Sequence, residues 1–325
     1  MDDISKYEIA PLIELEDFKC PEGAKSFFIR GFDNKKLRVA LWNINSDKGT
    51  IILQSGRTEF IEKYYEVIEG FISRGYCVAA MDWRGQGLSE RTSKNIRLGH
   101  IDDFEEYDKD LIKTLELYEA LCPKPWIGFG HSMGGCLMAS NFVNQEKNFK
   151  ALILCAPMLS IRSRFALRII VSVLGSISSI GFKDFAIDKP NWDEERGWLE
   201  EEFRDNFLTS DQYRFDRVYR LICKEPALGV KGLSLGWIYE AVKRTNKFKE
   251  KKWGASVKSP ILLLNATQDR LVSPSENVQI LNRFKNSHIE NIDSRHEIFM
   301  ESDSIRNQAW KKVDEFLANP LIKHS

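Results

Sequence analysis

An excess of charge of either sign is missing from this 325-residue chain, in which 47 lysines and arginines balance 47 aspartates and glutamates. No overall field favours nucleic acid or an acidic partner, so a charged ligand must meet a local patch. Histidine is scarce, at five residues, which shortens any search for imidazole chemistry. The six cysteines (Cys20, Cys77, Cys122, Cys136, Cys155, Cys223) form no C-x-x-C pair and several sit in apolar runs, so reduced, mostly buried thiols are expected. Zinc-ligand spacings and a Walker loop are absent, and the nearest dinucleotide signal, Gly128-x-Gly130, has Met133 at the third glycine position. Neither a metal nor an organic cofactor is expected. The first residues, MDDISKYEIAPLIELEDF, show no basic region followed by an apolar stretch, which points to a cytoplasmic protein. The most apolar segment, Phe165 to Ile180, is broken by Arg168 and four serines and makes a poor membrane span.

What is present is a globular composition, 43% hydrophobic and 29% charged. Short β-rich apolar runs alternate with helical periodicity, the pattern of βα units on a largely parallel sheet. Strands are expected at Phe27 to Arg30, Leu37 to Trp42, Thr50 to Gln54, Cys77 to Met81, Trp126 to Phe129 and Ala151 to Cys155, with a hairpin turn at Phe32 to Lys36. Helices are expected near Phe60 to Arg74, from Phe104 to Cys122 and from about Met133. Between about Met158 and Lys258 convincing strands stop and helical segments take over, which reads as a cap. Alternation resumes with strands at Ile261 to Asn265 and His288 to Ile292, and helices near Ser275 to Phe284 and Ser304 to Ala318. The expected units are thus a core of residues 1–157 and 259–325 and a helical cap of residues 158–258, inserted after the sixth strand.

Gly130-His131-Ser132-Met133-Gly134 fits G-x-S-x-G, the sharp strand-to-helix turn that exposes a serine hydroxyl above a sheet. Gly232-Leu233-Ser234-Leu235-Gly236 fits it too. Only Ser132 follows a strand and opens a helix, and Ser234 reads better as a glycine-punctuated turn before a cap helix. A serine needs a base near neutrality and an acid to orient it. His131 lies inside the turn, His100 precedes it, His288 begins a strand and His324 is two residues from the end. His296, in the loop after the strand ending at Ile292, is the candidate base. Asp269, four residues beyond the strand ending at Asn265, is the candidate acid, with Asp293 its rival. The order Ser132, Asp269, His296 is that of hydrolases with catalytic loops at strand ends. The oxyanion would be held by the backbone N–H of Met133 and by one from the loop Gln54-Ser55-Gly56-Arg57-Thr58, where Arg57 is the choice.

Together with GHSMGG at Gly130 to Gly135, the run Met81-Asp82-Trp83-Arg84-Gly85-Gln86-Gly87-Leu88-Ser89, the stretch Leu262 to Val272 and the pair His296-Glu297 resemble the α/β-hydrolase superfamily. The likeness is to the branch of bacterial lysophospholipases and monoacylglycerol lipases, and Phe207 to Asp211 and Leu235-Gly236-Trp237 in the cap are similar to the lysophospholipase type. The resemblance implies an α/β-hydrolase fold, a mostly parallel sheet flanked by helices, with Ser132 as nucleophile, Asp269 as acid and His296 as base. Where many relatives have H-G in the oxyanion loop, this chain has Ser55-Gly56, then Arg57-Thr58-Glu59. Asp82 and Arg84 are expected to tie loops together beside the site.

The activity expected is hydrolysis of a carboxylic ester of a single-chain glycerolipid, a lysophospholipid or monoacylglycerol, through an acyl-enzyme on Ser132. Alternatives are a general carboxylesterase or small-peptide aminopeptidase on the same fold, or a non-catalytic binding protein. Arg162, Arg164 and Arg168 beside the apolar Phe165 to Ile180 segment read as an amphipathic lid or, equally, a core-facing helix, and a peripheral membrane contact through the cap goes with the former. Lys243, Arg244, Lys247, Lys249, Lys251 and Lys252 form a basic run that adds weak attraction to anionic headgroups or is simply solvated.

Overall fold

The computed structural model describes residues 4–162, 183–186 and 203–323. Its strands are β1 (Glu8–Ile9), β2 (Lys25–Arg30), β3 (Lys36–Trp42), β4 (Thr50–Gln54), β5 (Cys77–Met81), β6 (Leu98–Gly99), β7 (Trp126–His131), β8 (Ala151–Cys155), β9 (Gly232–Leu233), β10 (Ile261–Ala266) and β11 (Ser287–Ile292). Nine of them form one sheet in the order β1-β2-β3-β5-β4-β7-β8-β10-β11. β2 and β3 pair antiparallel across a tight turn in which Asn34 takes φ 68°, a conformation asparagine tolerates. From β5 across to β11 every pairing is parallel. All six strands expected before the cap are present. The two-residue β1 and β6 add to them, being too short to carry a sequence period.

The parallel strands β4, β7, β8 and β10 are buried at every position, which explains their unbroken apolar runs. The helices cover both faces: α1 (Tyr65–Ile72), α2 (Phe104–Leu121), α3 (Ser132–Asn144), α4 (Gln212–Lys224), α5 (Leu235–Phe248), α6 (Pro274–Leu281) and α7 (Asp303–Leu317). α2 starts where the Asp103 carboxylate accepts the Glu105 N–H at 2.9 Å, and it buries Phe104, Tyr107, Leu111, Leu115 and Tyr118 against the sheet. On the other face Phe71, Trp310 and Phe299 pack edge to face at centroid distances of 4.9–5.0 Å. Among the described residues no helix is long and apolar enough to cross a membrane.

α4 and α5 lie in the stretch expected to be cap, and both are tied to the core. Arg214 on α4 bonds Glu66 of α1 at 2.9 and 3.0 Å and Asp303 at 2.6 Å, Arg217 bonds the same Glu66, and Arg220 bonds Asp17 at 2.6 and 2.8 Å. Arg244 on α5 pairs with Asp108 of α2, with one contact at 2.5 Å. β9 pairs in parallel with β6 of the core.

Candidate active site

Strand register brings the candidate loops to one edge. Gln54 at the end of β4 pairs with Gly130, His131 with Cys155, Cys155 with Leu264, and Ala266 with Ile292, so the chain leaves β4, β7, β10 and β11 at a common carboxyl edge. Such an edge is where ligands bind in α/β sheets.

Ser132 stands at the end of β7 with φ 49°, a left-handed conformation unfavourable for a residue with a Cβ. It opens α3, whose first N–H groups, Met133 included, have no intrahelical acceptor and point to where an anion would sit. The helix approaches the end of β4 backbone to backbone: a Cβ on Gly134 would lie 2.3 Å from the Gln54 carbonyl oxygen. The Ser132 carbonyl accepts the Met158 N–H at 2.9 Å, so the chain leaving β8 is anchored on the elbow.

Asp269 and His296 meet. His296 Nδ1 is 2.5 Å from Asp269 Oδ2, and both side chains are buried. The other carboxylate oxygen, Oδ1, accepts the N–H groups of Leu271 and Val272 at 2.8 and 3.0 Å, which aims Oδ2 at the imidazole. The rival Asp293 is exposed and accepts from Thr267 Oγ1 and Gln268 Nε2 instead. Of the other described histidines, His131 lies beside His296, ring centroids 4.9 Å apart, with its Nδ1 turned to Glu59, while His288 packs against Phe316 and His100 Nδ1 lies 2.9 Å from Ser234 Oγ. His324 lies outside the described residues.

That contact disposes of the second G-x-S-x-G. Ser234 is fully buried and caps α5, its hydroxyl accepting the Trp237 N–H at 3.1 Å. A serine that closes a helix and binds a histidine under the surface is structural.

The loop after β4 is clamped on both sides. Glu59 accepts the Gly56 N–H, while the Gln86 amide accepts the Thr58 N–H at 2.8 Å and donates to the Gly56 carbonyl at 3.0 Å. A Cβ on Gly56 would lie 2.6 Å from the Glu59 carboxylate, which would then have to shift. The Arg57 side chain is no loose surface arginine. Its guanidinium donates to the carbonyls of Gly232 and Lys231 at 2.7 and 3.1 Å and lies over the Trp237 ring at 5.1 Å, joining this loop to β9 and α5. Asp82 accepts from Arg38, Ile61 N and Leu88 N, and Arg84 bonds Asp33, Glu106 and Asp110, so both tie loops together.

A group that spacing alone did not reveal lies behind these loops. Glu59, Lys63, Tyr64, His131 and Glu297 are all buried. Lys63 bridges Glu59 at 2.8 Å and Glu297 at 2.6 Å, and His131 Nδ1 lies 3.2 Å from Glu59. Burial works to lower the His131 pKa, but the Glu59 carboxylate outweighs it and holds the imidazole above its ordinary value. Burial likewise works to raise Glu59, yet Lys63 and His131 keep it well below the usual carboxylate range. The Glu59-x-x-x-Lys63 spacing is visible in the chain, whereas Glu297 lies 234 residues from Lys63.

Among the described residues no group of three or more His, Cys, Asp and Glu could hold a metal ion. The basic run of α5 is partly neutralised: Lys243 bonds Glu240, Arg244 pairs with Asp108 and Lys249 pairs with Glu276. Arg162 donates to the Asp269 carbonyl at 2.8 Å. Arg164, Arg168 and the segment Phe165 to Ile180 lie outside the described residues.

Residues 45–303 match the family model for serine aminopeptidase, S33. The chain belongs to this S33 family. It is therefore a hydrolase, on the α/β-hydrolase fold. Among curated relatives of this S33 member, a Haemophilus influenzae protein named "Probable lysophospholipase L2" is 27% identical over 277 residues, covering 82% of this chain and 83% of that one. Lysophospholipase L2 of Escherichia coli is 25% identical over 299 residues, covering 88% and 85%. Among solved structures, a soluble variant of the Saccharomyces cerevisiae monoglyceride lipase superposes with TM-score 0.71 at 19% identity, covering 93% of this chain and 99% of that one, a likeness of fold.

Proposed function

We propose that this S33 hydrolase cleaves carboxylic esters of single-chain glycerolipids, lysophospholipid or monoacylglycerol, through an acyl-enzyme on Ser132. The observation that carries the proposal is the buried 2.5 Å contact between Asp269 and His296 on the sheet edge that also bears the strained Ser132. The relatives named for lysophospholipid and monoglyceride cleavage support the substrate class.

Asp269 holds the proton of the neutral imidazole on Nδ1 and leaves Nε2 as an acceptor. His296 takes the Ser132 proton as the hydroxyl oxygen attacks the ester carbonyl. The negative charge that develops on the carbonyl oxygen is met by the N–H groups of Met133 and Arg57, each such donor being worth roughly 10²–10³ in rate. His296 then protonates the leaving alcohol, and a water activated by the same imidazole releases the fatty acid. Residues 158–258 act as a helical cap over the core of residues 1–157 and 259–325, and cap contact with a lipid surface would deliver the substrate.

The test is fatty-acid release from lysophosphatidylcholine and monoacylglycerol, beside a short-chain aryl ester and an aminoacyl arylamide, with Ser132→Ala as blank. Ser132-dependent release from either lipid is expected. Turnover of the arylamide alone would replace the lipid reading with a peptidase, and turnover of the aryl ester alone with a general esterase. No turnover, with no labelling of Ser132 by a serine-directed phosphonate, would leave a binding protein.

A further inference from the structure

The charged group behind the site joins two loops far apart in sequence, the one carrying Arg57 and the one carrying His296. One oxygen of Glu59, Oε2, accepts from the Gly56 N–H, from Tyr64 Oη at 2.5 Å and from His131 Nδ1 at 3.2 Å. The other, Oε1, accepts from Lys63. The far side of His131 lies against the base loop: Nε2 is 3.3 Å from the His296 carbonyl oxygen, and the two imidazole rings sit 4.9 Å apart. Lys63 reaches the same loop through Glu297, the residue after His296.

We propose that Glu59 is a positioning residue that fixes the oxyanion loop and the His296 loop relative to each other through a single carboxylate. This inference rests on the catalytic roles proposed above for Ser132, His296 and the Arg57 N–H. Burying two carboxylates, an ammonium and an imidazole gains little stability over apolar packing of the same volume. What the charges add is direction. A carboxylate oxygen with three donors can take few orientations, and each donor belongs to a different part of the site: the residue before Arg57, the residue before Ser132, and Tyr64 in the turn that leads into α1. Holding the Gly56 N–H sets the plane of that peptide and so the course of the chain into Arg57. Holding His131, which in turn meets the His296 carbonyl, sets the height of the base over Ser132. With His131 protonated, both ring nitrogens donate, one to each loop, as the influence of Glu59 on its pKa favours.

The experiment compares kcat and KM for the aryl ester among wild type, Glu59→Gln, His131→Gln and Tyr64→Phe, each rate normalised to active sites titrated with a serine-directed phosphonate. Glu59→Gln should lower kcat about 10²-fold with KM within twofold, because small displacements of aligned groups act on the transition state rather than on substrate binding. His131→Gln, which breaks only the link to the base loop, should lower kcat about 10-fold. Tyr64→Phe removes one of the three donors to Glu59 Oε2 but leaves both loop links in place, so its loss of kcat should be smaller than that of Glu59→Gln, and an equal loss would overturn the proposal. Should Glu59→Gln fail to fold, His131→Gln decides. Equal kcat in a folded Glu59→Gln or His131→Gln, or a fall that tracks only the loss of titratable sites, would overturn the proposal, as would failure of both variants to fold. An inactive wild type would sink the proposed function itself; an active wild type beside an equally active Glu59→Gln would sink this inference alone.

Discussion

Replacing Gly134 by alanine would place a methyl carbon 2.3 Å from the Gln54 carbonyl oxygen and 2.4 Å from that of Ser55. Both contacts are to backbone, so no side chain can swing away, and the start of α3 and the end of β4 must part by about 1 Å to reach ordinary contact. Overpacking of this kind costs about 1–3 kcal/mol. For a chain of this size that is about 1.5–4.5 °C in Tm. The displaced peptides lead directly into Gly56 and Arg57, and a misplacement near 1 Å can cost about 10² in rate. Calorimetry and steady-state hydrolysis of the aryl ester by Gly134→Ala should therefore show a lower Tm together with a kcat reduced by more than about 10-fold, KM changing little. A Tm within 1 °C of wild type and a kcat within twofold, both measured on correctly folded protein, would refute the idea that the closeness of helix and strand at Gly134 sets the oxyanion loop. A lower Tm with unchanged kcat would show that the sheet absorbs the strain without passing it to Arg57.

Asp269→Asn keeps an oxygen for the Leu271 and Val272 N–H groups but presents an amide to His296, and kcat should fall by about 10⁴ with little change in Tm, read by ester hydrolysis and thermal melts. Ser234→Ala should cost roughly 2–3 kcal/mol in urea unfolding, from the lost α5 cap and the loss of the partner of His100 Nδ1, and leave kcat unchanged; a catalytic loss would mean that the second G-x-S-x-G takes part after all. Burial holds His100 below its ordinary pKa of 6.5 against the pull of Asp102. Its contribution to stability is intact above pH 6.5 and is lost as pH falls below that value, because the unfolded chain takes up the proton first. Urea midpoints between about pH 6.5 and 5.5 should fall less steeply for His100→Gln than for wild type, and equal slopes would count against it. His131 has the opposite sign, its raised pKa adding stability below pH 6.5 that fades as pH rises through the folded value.

The sheet was legible because its central strands are buried on both faces and so appear as short, unbroken apolar runs such as Ile261 to Leu264. β1, β6 and β9 could not be seen, since two residues carry no period. Ser132, Asp269 and His296 stood out because each follows a strand by a short, characteristic interval. The Asp269–His296 contact was within reach of that logic, and so was the structural character of Ser234. The partnership of Glu59 with His131 and Glu297 was not, because it depends on which side chains the closed sheet sets back to back. Arg57 was singled out for its backbone, while the reach of its guanidinium to Gly232 depends on where β9 docks. The basic run of α5 looked available in the sequence, and its partners Asp108 and Glu276 lie on other helices.

The arginines of α4 bear on how this enzyme could be re-engineered by exchanging parts between relatives. Replacing residues 158–258 of this chain by a relative's segment would keep Glu66, Asp17 and Asp303 but take away their partners Arg214, Arg217 and Arg220. It would also leave the Arg57 guanidinium dependent on the incoming backbone for the carbonyls that Lys231 and Gly232 now present. A chimera built at those boundaries inherits mismatched halves of several ion pairs. Exchanging α4, β9 and α5 only together with the core elements they bind would keep these partners matched.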